Sequence, residues 1–450
     1  MDLLGKIKNA GIVGCGGAGF PTHVKLDAKP EYFIINGAEC EPLLHTDRYI
    51  MTHLADRLIA GADAVCRALS VREGYIALKK SYQQEISALQ AAIEKAGSCM
   101  KIHEMDSFYP AGDEQVIVYE VTGRVVPPAG IPLNVGVVVD NAATVLAIAD
   151  AADDIPFTDK YLTVTGEVNE PAVLKVPVGT SFRECIRLAG GVSCSRPMVV
   201  SGGPMMGKPL SWEEAMGNAV TKTTSGILIL KDSSVIGRNR DMEIRHMLNR
   251  AKSACIQCSF CTSLCPRHLL GHPLKPHRIM RKMAAAGDPD VLLADEEIRQ
   301  AAICCECGIC EVYACPMGLN PRKINSLLKA KLAQAGIRYE RTQEEYCADP
   351  GREYRKCPTK RVAARAGVLP YYGIQDFAYR EFEPERVEIP LKMNIGAEAV
   401  PVVGQDSQVK KGQRIAACPD GKLGADIHAS IAGTVSFGQH SVTIDRTGGR

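Results

Sequence analysis

Residues 255–266 read CIQCSFCTSLCP and residues 304–316 read CCECGICEVYACP. The first block is Cys255-x2-Cys258-x2-Cys261-x3-Cys265-Pro266, and the second is Cys304-x2-Cys307-x2-Cys310-x4-Cys315-Pro316. Three thiolates on such short spacings wrap one face of an iron–sulfur cubane. The trailing cysteine, followed by proline, leaves the loop and ligates the other cluster where two are present. The spacing therefore assigns Cys255, Cys258, Cys261 and Cys315 to one [4Fe–4S] centre, and Cys304, Cys307, Cys310 and Cys265 to a second. The second block has one residue more than the usual three before its last cysteine, so the spare thiol Cys305 competes with Cys315 for that position. Zinc is the alternative, because two C-x2-C pairs can form a tetrahedral site. It would leave four thiolates at matching spacing, and both Cys-Pro pairs, without a role.

The rest of the composition narrows the field. A chain of 450 residues is too long for one core and implies about three domains. Hydrophobic residues at 46% and charged residues at 23% are ordinary globular proportions. Lys+Arg 53 against Asp+Glu 51 leaves +2, and aromatics are 5%, so neither a basic field nor a stacking surface argues for nucleic acid. The most apolar stretch, 135–152, carries Asp140, Asn141 and Asp150, so no membrane span is expected. The first residues, MDLLGKIKNAGIVG, hold no apolar run long enough for a secretory signal. Half of the 18 cysteines lie between Cys255 and Cys315. A disulfide scaffold is not expected in so long a chain without an export signal, and clustered thiols in a reducing compartment read first as metal ligands.

Along the chain, residues 1–155 alternate short apolar runs with helical periods, which argues for an α/β domain with a parallel sheet. Tyr32–Ile35 and Val135–Val139 read as buried strands. Asp47 reads as the cap of a helix carrying Ile50, Leu54, Leu58, Val65 and Leu69, and a second helix through Ile86 and Leu89 stops at Gly97. Residues 156–237 read as a small β-grasp module. Residues 238–340 are helical (HRIMRKMAAAG, then DEEIRQAA, between the cysteine blocks) and form an α-helical ferredoxin domain with two clusters. Residues 341–390 are charged and read as a linker. Residues 391–450 carry short strands with regular turn signals, the pattern of a small all-β sandwich or barrel.

Two glycine runs matter. Gly14-Cys15-Gly16-Gly17-Ala18-Gly19 satisfies G-x-G-x-x-G, a weak pattern alone, but such backbone can approach a phosphate closely, with Lys25 as its cation. The sequence IINGAECEP (34–42) then brings a strand end, Asn36, Glu39 and Glu41 together. Carboxylates beside a phosphate loop would repel phosphate and so suit ribose hydroxyls or a nicotinamide. Gly202 to Lys208 (GGPMMGK) has phosphate-loop spacing but ends in Pro209, with no hydroxyl for Mg²⁺, so it reads as a turn and not as a nucleotide triphosphate site.

Taken together, GCGGAGFPTHVK (14–25), NGAECEP (36–42), YPAGDEQ (109–115) and GVVVDNAAT (136–144) resemble the FMN- and NADH-binding domain shared by the 51-kDa-type flavoprotein subunit of respiratory complex I and the RnfC component of Rnf complexes. That family adds a soluble-ligand-binding β-grasp module and paired ferredoxin motifs. In RnfC the barrel-sandwich hybrid, similar to biotinyl and lipoyl domains, precedes the flavin domain. Here it follows, an order that resembles the cobalamin reductases of propanediol-utilization microcompartments. The resemblance implies non-covalent FMN held by Gly16, Gly17, Gly19, Lys25, Asn141 and Thr144, with Asn36 and Glu39 on flavin or nicotinamide, Glu41 on the dinucleotide, and Tyr109, Gly112 and Glu114 lining the NADH side. It implies NADH as donor and cobalamin as acceptor, an adenosyltransferase and a shell protein as partners, and a microcompartment location. An Rnf-type component linking NADH and ferredoxin is the second reading, and a non-enzymatic zinc scaffold the third. Cys15 and Cys40 read as small fillers and Cys347 and Cys357 as structural thiols. Lys422, in a turn, lacks the flanking residues of a lipoyl or biotinyl acceptor, so no covalent cofactor is expected there.

Overall fold

In the strand Tyr32–Asn36, Ile34 points to one side of a sheet and Phe33 and Ile35 to the other, and all three are fully buried. A strand apolar on both faces needs cover on both. In the computed structural model, which describes residues 2–446, that strand sits inside a parallel sheet. The strand order is Met100–Met105, Glu73–Lys79, Tyr32–Asn36, Val137–Asn141. Helices Ala55–Leu69, Gln83–Ala96 and Ala142–Ala152 cover the Phe33 face through Leu58, Val65, Leu89, Val145 and Ile148. Helix Glu114–Thr122 covers the Ile34 face through Val116 and Ile117.

Three local expectations need correction. The helix read from Asp47 is two helices, Thr46–His53 and Ala55–Leu69, broken at Leu54 (φ −123°). Asp47 is not a cap but a buried first-turn residue whose carboxylate accepts from Asn141 Nδ2 at 2.6 Å. The run expected as strand from Val135 begins as a 3₁₀ turn, Pro132–Val135, and becomes strand only after Gly136, whose positive φ of 73° turns the chain.

A second sheet of six strands follows, in the order Ala378–Glu381, Ala172–Pro177, Asp159–Gly166, Gly226–Lys231, Pro197–Ser201, Lys208–Leu210. Helices Phe182–Leu188 and Trp212–Met216 pack on its Leu162, Val164, Ile227 and Ile229 side. The stretch 341–390, read as a linker, is built into three modules. Cys357–Pro358 pairs antiparallel with Phe108–Tyr109, Ala378–Glu381 pairs parallel with Ala172–Lys175, and Arg386–Pro390 pairs with Ser441–Asp445. Its strands are hard to see in the sequence because they are short edges whose outward positions are charged, as in RVEIP, where only Val387 and Ile389 are buried.

The C-terminal barrel begins at that strand. Four strands (Arg386–Pro390, Ser441–Asp445, Gly433–Phe437, Gln408–Val409) face three (Val400–Pro401, Arg414–Ala417, Ile427–His428) across Ile389, Ile415, Ile427, Val435 and Ile444. The buried Lys222 ties three modules together, donating to Gly11 O at 2.7 Å and Asp426 O at 2.8 Å. In chain order between the second sheet and this barrel, helices Ile244–Ala254, Pro276–Ala286 and Pro321–Gln334 pack through Leu248, Ile279, Met283, Ile324 and Leu328 and carry the cysteine blocks. Among the described residues, no helix is long and apolar enough to cross a membrane.

Candidate functional site

The carboxyl ends of Tyr32–Asn36 and Val137–Asn141 lie side by side, with Asn36 in register with Asn141. This is where the strand order reverses, the crevice in which open α/β sheets take ligands. The glycine loop lies across it. Thr144 Oγ1 accepts from Cys15 N at 2.9 Å, and Asn141 caps its helix by accepting from Ala143 N. A Cβ on Gly16 would stand 3.1 Å from the Asn141 amide, whereas one on Gly17 would meet nothing within 4 Å, so bare backbone faces open space there. Lys25 reaches Glu114 at 2.6 Å and Asp140 at 3.4 Å. Burial opposes its charge, yet those two carboxylates hold its pKa above the ordinary value. Asp140 is itself buried, with Oδ2 lacking a partner. An open glycine backbone and a cation at a switch point suit a phosphorylated cofactor such as FMN, whereas the unpartnered Asp140 oxygen is an acceptor and suits a donor group of the ligand, not its phosphate. Gly19 has another duty: at φ 72° its missing Cβ leaves room for Met393 O and Thr223.

The remaining motif residues are drawn into contacts within the chain. Asn36 Nδ2 donates to Gly112 O at 2.8 Å, and a Cβ on Gly112 would press on Cys40 and Asn36. Glu39 caps helix Thr46–His53, its Oε2 accepting from Asp47 N at 2.5 Å and Arg48 N at 3.0 Å. Burial, with Asp47 nearby, pushes its carboxyl up to about 8. Glu41 accepts from Met205 N at 2.8 Å and Met206 N at 2.7 Å, and burial pushes it up to about 7. Both carboxylates still border a cavity with His45, Arg48, Lys79, Tyr82 and Tyr372. Those five escape a reading of the sequence alone. Lys79, buried and with its pKa lowered by desolvation, is the one with a signal, as a lysine closing the apolar strand YIALK.

The two cysteine blocks fold as conformational copies. Gln257 and Ser259 have φ of 57° each, and Glu306 and Gly308, at the same places in the second block, have 59° and 79°. Cys255, Cys258, Cys261 and Cys315 line one cavity; Cys265, Cys304, Cys307 and Cys310 line another, with Cys305 beside them. The extra residue before Cys315 is absorbed by a π-helical turn, Ile309–Tyr313, closed by Ala314 N to Ile309 O at 2.8 Å. Cys315 thus lies in the first ring, and Cys305 lies by the second. Leu319 N donates to Cys315 Sγ at 3.3 Å and Glu306 N to Cys304 Sγ at 3.4 Å.

Burial, reinforced by the neighbouring ring thiols, pushes Cys261 up to about 12. Burial likewise takes Cys304 up to about 11. Ionising four such thiols together requires a positive centre between them. Thiols spread around two cavities suit cubanes better than a tetrahedral zinc.

The two chemistries adjoin. Arg267, just after Cys265-Pro266, makes a bidentate pair with Asp113 at 2.5 and 2.9 Å, both largely buried. Tyr109, buried, donates from its hydroxyl to Cys307 O at 2.7 Å. The second ring therefore abuts the flavin-type module. The first ring is the outer one, its Cys255, Cys258 and Cys261 half-buried near exposed Ile256, Phe260 and Met317. Cys15 is buried against Val13 O, and Cys347 and Cys357 line neither cavity.

Comparison with known proteins agrees with this division. The Nuo51 FMN-binding domain matches residues 7–150, the SLBB domain 161–209, the 4Fe-4S dicluster domain 254–320, and the RnfC barrel sandwich hybrid domain 379–446. Cobalamin reductase PduS of Salmonella typhimurium is 42% identical over 99% of this chain and 96% of that protein. Its counterpart in Citrobacter freundii is 41% identical over 98% and 96%. A component of the proton-translocating ferredoxin:NAD(+) oxidoreductase complex of Clostridium ljungdahlii is 37% identical over 60% of this chain and 56% of that protein. With likeness running the length of both chains, and with an FMN-binding domain set against a 4Fe-4S dicluster domain, this chain is an oxidoreductase and belongs to the cobalamin reductase PduS family.

Proposed function

We propose that the chain oxidises NADH and reduces cobalamin, from cob(III)alamin to cob(II)alamin and on to cob(I)alamin, using FMN and two [4Fe–4S] clusters. When bound, FMN converts the hydride pair of NADH into single electrons, and the clusters relay them one at a time. The observation that carries this reading is the contact of Tyr109 with Cys307, which ties the flavin-type module directly to the second cysteine ring. Gly16, Gly17 and Lys25 receive the cofactor's phosphate, while Asn141 and Thr144 hold the loop in place. Tyr109, Gly112 and Glu114 form the nicotinamide side, with Glu39 and Glu41 in the wall of the adjoining cavity. Cys265, Cys304, Cys307 and Cys310 hold the inner cluster, and Cys255, Cys258, Cys261 and Cys315 the outer one, from which electrons leave.

Family membership supports a place in a propanediol-utilization microcompartment; the proposal adds an adenosyltransferase consuming the reduced corrinoid and a shell protein as anchor. An Rnf-type component would share the chemistry. The Rnf-type relative matches 60% of this chain, and the barrel here follows the flavin-type module, which counts against that reading. The test is anaerobic reduction of cob(III)alamin by NADH with purified protein and no membranes. Turnover supports the proposal; flavin bleaching by NADH without corrinoid reduction sinks the choice of acceptor.

A further inference from the structure

The run GGPMMGK, Gly202 to Lys208, has the spacing of a phosphate loop, and its anion is supplied by the chain. It is the turn of a hairpin between Pro197–Ser201 and Lys208–Leu210. Its two successive amides, Met205 N and Met206 N, converge on the Glu41 carboxylate at 2.8 and 2.7 Å, the way paired backbone amides hold an anion. A Cβ on Gly203 would lie 2.3 Å from Glu41 Oε2, so glycine is required for the approach, and no positive φ is involved. Lys208 is exposed and takes no part. The other side of the turn rests on the second cysteine loop. Met205, itself buried, presents Cε and O at 3.4 Å from where a Cβ of Gly308 would be. Arg322, which lines the second ring's cavity, donates to Met205 O.

We infer that this turn is an internal carboxylate clamp that locks the Cys304–Cys310 loop against the flavin-type module, with Met205 as the positioning residue for electron entry into the inner cluster. The inference rests on the proposed route from NADH through FMN. The reason is geometric: Glu41 leaves the strand end that borders the cofactor crevice, and the turn carries that fixed point to Gly308, between Cys307 and Cys310. Tunnelling falls steeply with separation, so a loop free to shift would slow transfer without touching either cofactor site.

The test uses full-length protein loaded anaerobically with FMN, iron and sulfide, as wild type, Met205→Ala, Met205→Leu and Gly203→Ala. In stopped flow, NADH should bleach flavin at the wild-type rate in Met205→Ala. Cluster bleaching should then slow by about ten- to a hundredfold, the upper end being what a misplacement of about 1 Å costs, and Met205→Leu should restore most of it. In dithionite-reduced samples, EPR should show an altered line shape for one cluster only in Met205→Ala and Gly203→Ala. Wild-type cluster rates with unchanged spectra in both variants would overturn the clamp, as would equal slowing of flavin bleaching. Should Gly203→Ala fail to load iron, the Met205 pair still decides. Absence of flavin bleaching in the wild type would instead defeat the NADH route, leaving the EPR comparison to judge the clamp.

Discussion

Cys258 is the middle thiol of the outer ring, half-buried and far from the glycine loop in sequence. Cys258→Ala should abolish transfer to a one-electron acceptor while flavin content, measured by release on denaturation, stays at the wild-type level. Loss of both together would mean general misfolding. A sharper pair is Cys315→Ser against Cys305→Ser: the first should lower iron per chain by about half, the second should leave it unchanged, and iron assay distinguishes them. Three thiols of each ring are legible in the sequence because their spacing is local, and the exchanged fourth is legible from the Cys-Pro pair that leaves each loop. The choice between Cys305 and Cys315 is not, because it depends on a π turn that the residue types do not announce. Glu39 and Glu41, two residues apart in NGAECEP, suggest one site and do border one cavity, but their hydrogen bonds diverge in a way the sequence does not announce, one to the helix at Thr46 and the other to the turn at Met205.

Among the elements, the junction between helix Glu114–Thr122 and the Cys265-Pro266 corner is closed by a largely buried ion pair. Asp113 caps that helix through Gln115 N and Val116 N and also pairs with Arg267. Burial raises the Asp113 carboxyl, but Arg267 and the two amides outweigh it and leave its pKa below the ordinary value. Asp113→Ala should cost about 3–5 kcal/mol, because it strands a buried guanidinium; thermal or denaturant unfolding measures it. A depressed carboxylate stabilises above its unfolded pKa and loses that contribution as pH falls through the folded one. The gap between wild type and Asp113→Asn should therefore shrink on acidification below about pH 4. Glu39 behaves in the reverse sense. Raised to about 8 by burial and Asp47, it favours the folded state below its ordinary 4.5 and loses that as pH rises through about 8. Glu39→Gln should flatten the stability–pH curve over that interval. The parallel sheet and the helix stop at Gly97 are readable from apolar runs and a terminal glycine. The pairing of Cys357–Pro358 with Phe108–Tyr109 is not, since it spans most of the chain and two residues carry no period.

At the scale of the whole molecule, the modules are wedged together by buried polar contacts. Lys222 joins the flavin-type module, the six-stranded sheet and the barrel, and Gly19 yields space to Met393. The C-terminal barrel therefore supports the glycine loop from behind, and Lys222→Met should weaken FMN retention as well as stability, both readable by flavin fluorescence during thermal unfolding. Module order is visible in motif order, whereas the wedging depends on side chains far apart in sequence. The measurement closest to the central claim is an anaerobic count of iron, sulfide and flavin on the intact chain, followed by NADH titration watched by EPR. About eight iron and eight sulfide with one FMN are expected, with signals from two clusters as NADH is added. A chain that stays colourless after reconstitution, or that binds zinc and no sulfide, would contradict it.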